Sequence, residues 1–186
     1  MLKQACALAN KETKAITAKQ ANAIAKACEE ITSGKLRDQF VVDVFQMGAG
    51  TSFHMNVNEV IANRANEILG EKLGSYGQIT ANDHVNFGQS TNDTFPTAMR
   101  LGILLMLRDH LKKPLGDFEK SLKKKGRQFD KIVKSARTHL QDAVPIRLGQ
   151  EFAAFGDAIN RAATSFENAR EWVYDLGIGG SAAGTG

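Results

Sequence analysis

The sequence predicts an all-α, mainly helical fold, and three observations carry that prediction. Apolar residues recur at helical spacing through successive segments between residues 17 and 174. Only three prolines interrupt 186 residues, and Pro96 and Pro114 stand where helices begin. The one β-prone run, Gln39-Phe40-Val41-Val42-Asp43-Val44-Phe45, is short and isolated, so it reads as an extended connection rather than a sheet strand.

Each element follows from its own pattern. Residues 17–33 place Ala21, Ile24, Ala25, Cys28 and Ile31 on one stripe, with Gly34 just beyond the end. The helical period returns from Met55 through Val57, Val60, Ile61, Ala65, Ile68 and Leu69, and Gly70 closes it. Residues 70–82 read as a loop. Leu101, Leu104, Leu105 and Leu111 define a helix over 96–112, and Pro114 restarts the chain in another that runs to about Lys134. Beyond Pro145 the longest helix extends from Leu148 to about Tyr174 on Phe152, Phe155, Ile159, Phe166 and Val173.

Composition narrows the class. A 42% hydrophobic chain of this length buries a substantial core as one domain or slightly more. A net charge of +4 and a pI near 9.1 raise the question of nucleic acid. The densest basic run, Lys123-Lys124-Lys125-Gly126-Arg127, shares a helix with Leu122, Phe129, Ile132 and Val133, and reads as a solvated face rather than a nucleic-acid patch. Cys6 and Cys28 lack metal-ligand spacing and read as reduced core thiols. No stretch has the length of an apolar membrane span, and no signal-peptide pattern opens the chain, so a soluble, cytoplasmic protein is expected.

Three segments rich in glycine and short polar side chains punctuate the helices: Gly48-Ala49-Gly50-Thr51-Ser52, Gly88-Gln89-Ser90-Thr91-Asn92-Asp93, and Ala136-Arg137-Thr138-His139-Leu140-Gln141-Asp142. Free backbone N–H groups and short hydroxyl or amide side chains at helix ends hold anions. The same residues are the ordinary caps of helices, and Ser90–Asp93 ahead of Pro96 describes a helix start with no function attached. The three together, the third carrying a histidine, point to a site for a small polycarboxylate or phosphate.

The residues that carry these segments resemble the fumarase/aspartase superfamily. Residues 48–64, Gly-Ala-Gly-Thr-Ser-Phe-His-Met-Asn-Val-Asn-Glu-Val-Ile-Ala-Asn-Arg, are similar to that family's first active-site segment. Residues 84–99, with Gln89-Ser90-Thr91-Asn92-Asp93-Thr94-Phe95-Pro96, resemble the second, and residues 137–152 resemble the third. Residues 179–186 look like the family's Gly-Gly-Thr-Ala-Val-Gly-Thr-Gly. Within the family, Gln46-Met47-Gly48-Ala49-Gly50-Thr51, Ser90-Thr91-Asn92 and Asp142-Ala143-Val144-Pro145 are spelled more like aspartases than fumarases, and Ala49 stands where fumarases usually carry serine. Gly88 replaces a common serine and His54 a common asparagine.

The resemblance implies a lyase that acts on a small dicarboxylate, first aspartate ammonia-lyase and alternatively fumarate hydratase. It implies substrate contacts from Thr51, Ser90, Thr91 and Asn92, catalytic contacts from Thr138 and His139 on a neighbouring chain, no metal, no cofactor, no nucleic acid and no membrane. It further implies a homo-oligomer, a tetramer in the family. Residues 1–87 correspond to the latter part of an N-terminal helical domain and residues 88–186 to the opening of a long central helical bundle. The family's base is a serine in a Gly-Ser-Ser-x-Met-Pro-x-Lys-x-Asn loop, a sequence absent here, so the chain is expected to be an internal fragment, inactive alone. A non-catalytic truncated helical module is the other reading. His84 is expected to shape a loop and His110 to lie at a helix end beside Lys112.

Overall fold

Thr17 accepts the backbone N–H of Gln20 on its side chain while Gln20 reaches back to the N–H of Thr17, and this reciprocal cap starts helix α2 (Ala18–Thr32). The computed structural model describes residues 1–46, Gly48 and residues 50–184. Ahead of α2 lies a helix that the apolar periodicity did not mark, α1 (Leu2–Glu12). After it come α3 (Thr51–Ile68), α4 (Thr91–Met106), α5 (Lys112–Gln128) and α6 (Leu148–Arg170), with short π-helical turns at Ala81–Val85 and Leu107–Leu111. The fold is mainly helical, as the sequence predicts, with one small antiparallel hairpin formed by β1 (Val133–Thr138) and β2 (Gln141–Arg147).

Contacts divide the chain into two compact units. The first comprises Met1–Met99 and Leu176–Gly186, and the second Arg100–Asp175. In the first, α1, α2 and α3 bury Ala7, Ala21, Ile24, Ala27, Cys28, Ile61, Ala62 and Ala65, with Ile79 and Val85 closing the core. Alanines let helix axes approach closely, and Cys28 sits among them as a buried free thiol whose pKa burial pushes up to about 11. Cys6 is half-buried and also free. The α3 stripe differs from the purely apolar pattern, since Asn58 and Asn66 are buried while Val57, Val60 and Ile68 are half-buried. Asn66 satisfies its burial by donating to the carbonyl of Ile79 at 2.7 Å and accepting the N–H of Ile79 at 3.0 Å, which ties residues 78 and 79 to α3. The run at 39–45 forms no strand, and instead of running extended it leaves a short 3-10 turn at Arg37–Gln39 and bends at Val42, Val44 and Phe45.

In the second unit α5 and α6 pack as a helical pair. A Cβ on Gly149 would lie 2.3 Å from the carbonyl oxygen of Gly126, so the helices touch backbone to backbone there. Phe129 meets Phe152 edge to face at 5.2 Å, and the basic run is solvated as expected, with Lys123 paired to Glu119 at 2.7 Å. The helix expected to reach Lys134 stops at Gln128, because the Leu148 N–H donates to the carbonyl of Ile132 and the Gly149 N–H to that of Phe129. Those bonds close the base of the hairpin, and Lys134–Glu151 and Arg147–Asp130 pairs brace it. One extra residue in β2 opposite Ala136 shifts the register between Ser135↔Pro145 and Arg137↔Asp142. The chain thus enters and leaves residues 136–142 through strands, not helix ends.

Candidate functional site

The beginnings of α3 and α4 converge within the first unit. Gly50 precedes α3 with φ +82°, and a Cβ there would lie 2.7 Å from the Phe95 ring, so only glycine admits the close approach. Phe53 meets Phe95 edge to face at 5.9 Å. One turn further in, His54 Nδ1 lies 2.7 Å from Thr91 Oγ1. Thr51 occupies the first position of α3 and Thr91 the first of α4, so the expected carboxylate contacts Thr51, Ser90, Thr91 and Asn92 all lie at these two helix starts. Thr51 and Asn92 are exposed, and Ser90 and Thr91 are half-buried.

Ser90 also caps: its hydroxyl oxygen accepts the N–H of Asn92 at 3.2 Å, leaving its hydrogen free to donate. The frame beneath belongs to Asp93, which is 3% exposed. Its carboxylate accepts the Ser90 N–H at 3.0 Å, the Thr94 hydroxyl at 3.0 Å, the Gly179 N–H at 3.1 Å and the Ser181 N–H at 2.9 Å. Burial alone would raise its pKa, but these donors outweigh burial and hold the carboxyl below its ordinary value. The glycine-rich segment 177–184 is thereby fastened to the start of α4.

Two further polar groups line this region. Lys3 on α1 is buried and donates to Asn86 Oδ1 at 2.8 Å and Gln89 Oε1 at 2.9 Å, and burial lowers its pKa to about 8. His54 is 3% exposed, and burial, followed by the nearby Lys3 charge, lowers its pKa to about 4. Both residues escaped sequence reasoning as site residues: Lys3 falls in an unremarked alanine-rich stretch, and His54 stood only as a departure from asparagine. The signal for His54 was its place three residues after Thr51, one helical turn along the same face.

The other candidates belong to the chain's second unit. Thr138 ends β1, and His139 with Leu140 forms the two-residue turn to Gln141; both turn residues take positive φ, 48° and 62°, as a type I′ hairpin requires. Thr138 and His139 are exposed. Among the histidines outside the site, His84 accepts the Thr80 N–H at 3.0 Å within the π-helical turn, a loop-shaping role, and His110 is exposed in the turn ahead of α5. Gly88 has φ +69° with open space around it, so its backbone conformation explains the residue. Met47 and Ala49 of the first motif, and Thr185 and Gly186 of the last, lie outside the described residues. Among the described residues no cluster of His, Cys, Asp or Glu is placed to hold a metal ion, and no helix is long and apolar enough to cross a membrane.

The chain is similar to known proteins along its whole length. A family model described as lyase matches residues 1–186. An aspartate ammonia-lyase of Bacillus subtilis is 47% identical over all 186 residues, which span 39% of that protein. A class II fumarate hydratase of Thermus aquaticus is 50% identical over the same residues, 40% of its length. The crystal structure of a fumarate lyase:delta crystallin from Brucella melitensis superposes with a TM-score of 0.90 at 46% identity, covering 99% of this chain and 40% of that one. The chain spans about two fifths of the length of the curated relatives it matches, which divide between the two activities. With every residue from 1 to 186 inside the match, the chain belongs to the lyase family that includes the aspartate ammonia-lyases and class II fumarate hydratases.

Proposed function

We propose that this chain is the portion of a cytoplasmic, cofactor-independent aspartate ammonia-lyase that carries its carboxylate-binding helix starts, and that the whole protein converts L-aspartate to fumarate and ammonia. The observation that carries the reading is the convergence of the α3 and α4 starts through His54 and Thr91, which brings the helix starts bearing Thr51 and Ser90-Thr91-Asn92 together. Hydroxyl, amide and backbone donors gathered at helix N-termini suit a carboxylate. Removal of a C3 proton beside a carboxylate builds a doubly charged aci-carboxylate, and fixed donors stabilise it more than they stabilise the substrate. As the C2–N bond breaks, the electron pair left by the proton forms the C2=C3 bond and ammonia departs.

Thr138 and His139 stand exposed at the hairpin, which suits residues that reach the substrate from a neighbouring subunit of a homotetramer. In the whole protein, residues 1–87 would complete an N-terminal helical domain and 88–186 would open the central bundle. The base is supplied by a serine loop whose sequence this chain does not contain, so the 186-residue chain alone is expected to show no turnover; general-base catalysis contributes about 10²- to 10⁴-fold.

Fumarate hydration is the second reading, supported by the 50% identity to a fumarate hydratase. The aspartase-like spelling of Ser90-Thr91-Asn92 and Asp142-Ala143-Val144-Pro145 favours aspartate. Rates of fumarate formation by the full-length protein from L-aspartate and from L-malate decide between them. A faster rate from malate reverses the order, and no rate from either removes the lyase reading.

A further inference from the structure

His54 meets Thr91 at 2.7 Å, and the chemistry of that contact depends on which atom gives the hydrogen. The ring is neutral at pH 7, with its pKa lowered to about 4, so it has one N–H and one lone pair. In one tautomer Nδ1 accepts the Thr91 hydroxyl and Nε2 carries the proton. In the other Nδ1–H donates to Thr91 Oγ1 and Nε2 keeps a lone pair. Among the described residues Nε2 is buried without a hydrogen-bond partner. His54 lines a largely apolar groove of about 360 Å³ with Leu2, Ile31, Val57 and Phe95. A buried N–H with no acceptor is rarer in folded proteins than an under-satisfied acceptor. The tautomer with the proton on Nδ1 is therefore the better one here.

We propose that His54 is a positioning residue whose Nδ1–H donates to Thr91 Oγ1 and so turns the Thr91 hydroxyl hydrogen outward, as a donor for a substrate carboxylate. The inference rests on the reading of Thr91 as a carboxylate-binding residue. A hydroxyl that spends its hydrogen on a histidine faces an anion with lone pairs only, whereas a hydroxyl that receives one faces it with a hydrogen. Burial keeps the imidazole uncharged, and Lys3 and Asp93 are the charged groups that bear on it. Their effects oppose, Lys3 lowering and Asp93 raising the pKa, and burial outweighs both, so the ring stays neutral across the neutral range.

Two measurements test this. Long-range ¹H–¹⁵N correlation on the ¹⁵N-histidine-labelled chain reports the tautomer of each of its four histidines, and His54→Asn assigns the His54 signals by their disappearance. A proton on Nδ1, unchanged between about pH 7.5 and 5.5, is expected. A proton on Nε2 overturns the proposal whatever the binding variants show. Fumarate titration of the same chain supplies the second readout. His54→Leu is expected to weaken fumarate about tenfold and Thr91→Val by a similar factor, with the double variant no weaker than Thr91→Val alone. His54→Asn, whose amide N–H falls near the Nδ1 position, is expected to restore most of the affinity. If Thr91→Val weakens binding and His54→Leu does not, His54 has no such role and the carboxylate site stands. If the wild-type chain does not respond to fumarate, or Thr91→Val binds as well as wild type, the reading of Thr91 fails and the role of His54 fails with it.

Discussion

The Asp93 carboxylate accepts the backbone N–H of Ser181 at 2.9 Å across 88 residues of sequence, so one side chain at the start of α4 holds the far end of the chain's first unit. The same carboxylate serves Ser90, which makes it a shared support for the start of α4 and for the glycine-rich segment.

Replacing Asp93 with Asn turns an acceptor of four hydrogen bonds into a group that accepts on one oxygen only. The expected loss is about 2–4 kcal/mol, with segment 177–184 becoming the first site of limited proteolysis. The pH sign follows from the depressed carboxyl: its stabilisation is complete above the ordinary carboxylate pKa of about 4 and disappears as pH falls through the lower folded value. Urea unfolding at a series of pH values measures both, and an Asp93→Asn variant as stable as wild type contradicts the assignment.

His54 gives a second pH signature. Its folded pKa, about 4, lies below the ordinary value of 6.5, so the unfolded chain binds the proton more readily between them. Stability contributed by neutral His54 is complete above about pH 6.5 and is lost as pH falls towards 4, by about 3 kcal/mol. His54→Asn should flatten this part of the stability profile, as urea midpoints read at each pH will show.

The α5–α6 contact allows no side chain at Gly149. Gly149→Ala places a methyl against the Gly126 carbonyl and should cost about 2–3 kcal/mol, whereas Gly126→Ala, with its nearest atoms at 3.2 Å, should cost less. Equal midpoints for the two variants would contradict the backbone contact.

Self-association is expected, because Phe118, Phe155, Phe166 and Trp172 are each about half exposed or more, Trp172 at 79%. Light scattering of the 186-residue chain over a wide concentration range should show a mass above the monomer's 20.2 kDa. A strictly monomeric mass throughout counts against it.

Much of the helical fold was legible because apolar residues at 3.6-residue spacing report burial directly, as Ile24, Cys28 and Ile61 do. The hairpin at 133–147 was not, since Val133-Lys134-Ser135-Ala136-Arg137-Thr138 has no fully buried residue and carries no alternating apolar signal, and its turn uses His139-Leu140 in place of the usual glycine or asparagine. Helix α1 is short and its N-cap, Met1, makes no side-chain cap bond, so little marks its start. In the site, Thr51 and Ser90–Asn92 announce themselves as short polar residues beside glycine. Asp93 and His54 do not, because their importance lies in partners 88 and 37 positions away, which spacing along the chain cannot reveal.

The first unit is discontinuous, with residues 100–175 inserted between its two parts, and this orders events during folding. Bringing Asp93 to Ser181 in an otherwise unfolded chain closes a loop of 88 residues, at an entropic cost of about 4 kcal/mol. Residues 112–170, by contrast, assemble from neighbours in sequence: two helices joined by a two-residue-turn hairpin. Local contacts of that kind form fastest, and once formed they order much of the chain between positions 93 and 181. The glycine-rich segment accordingly joins α4 late, and the kinetics of its arrival depend on a region that supplies none of its hydrogen bonds to Asp93.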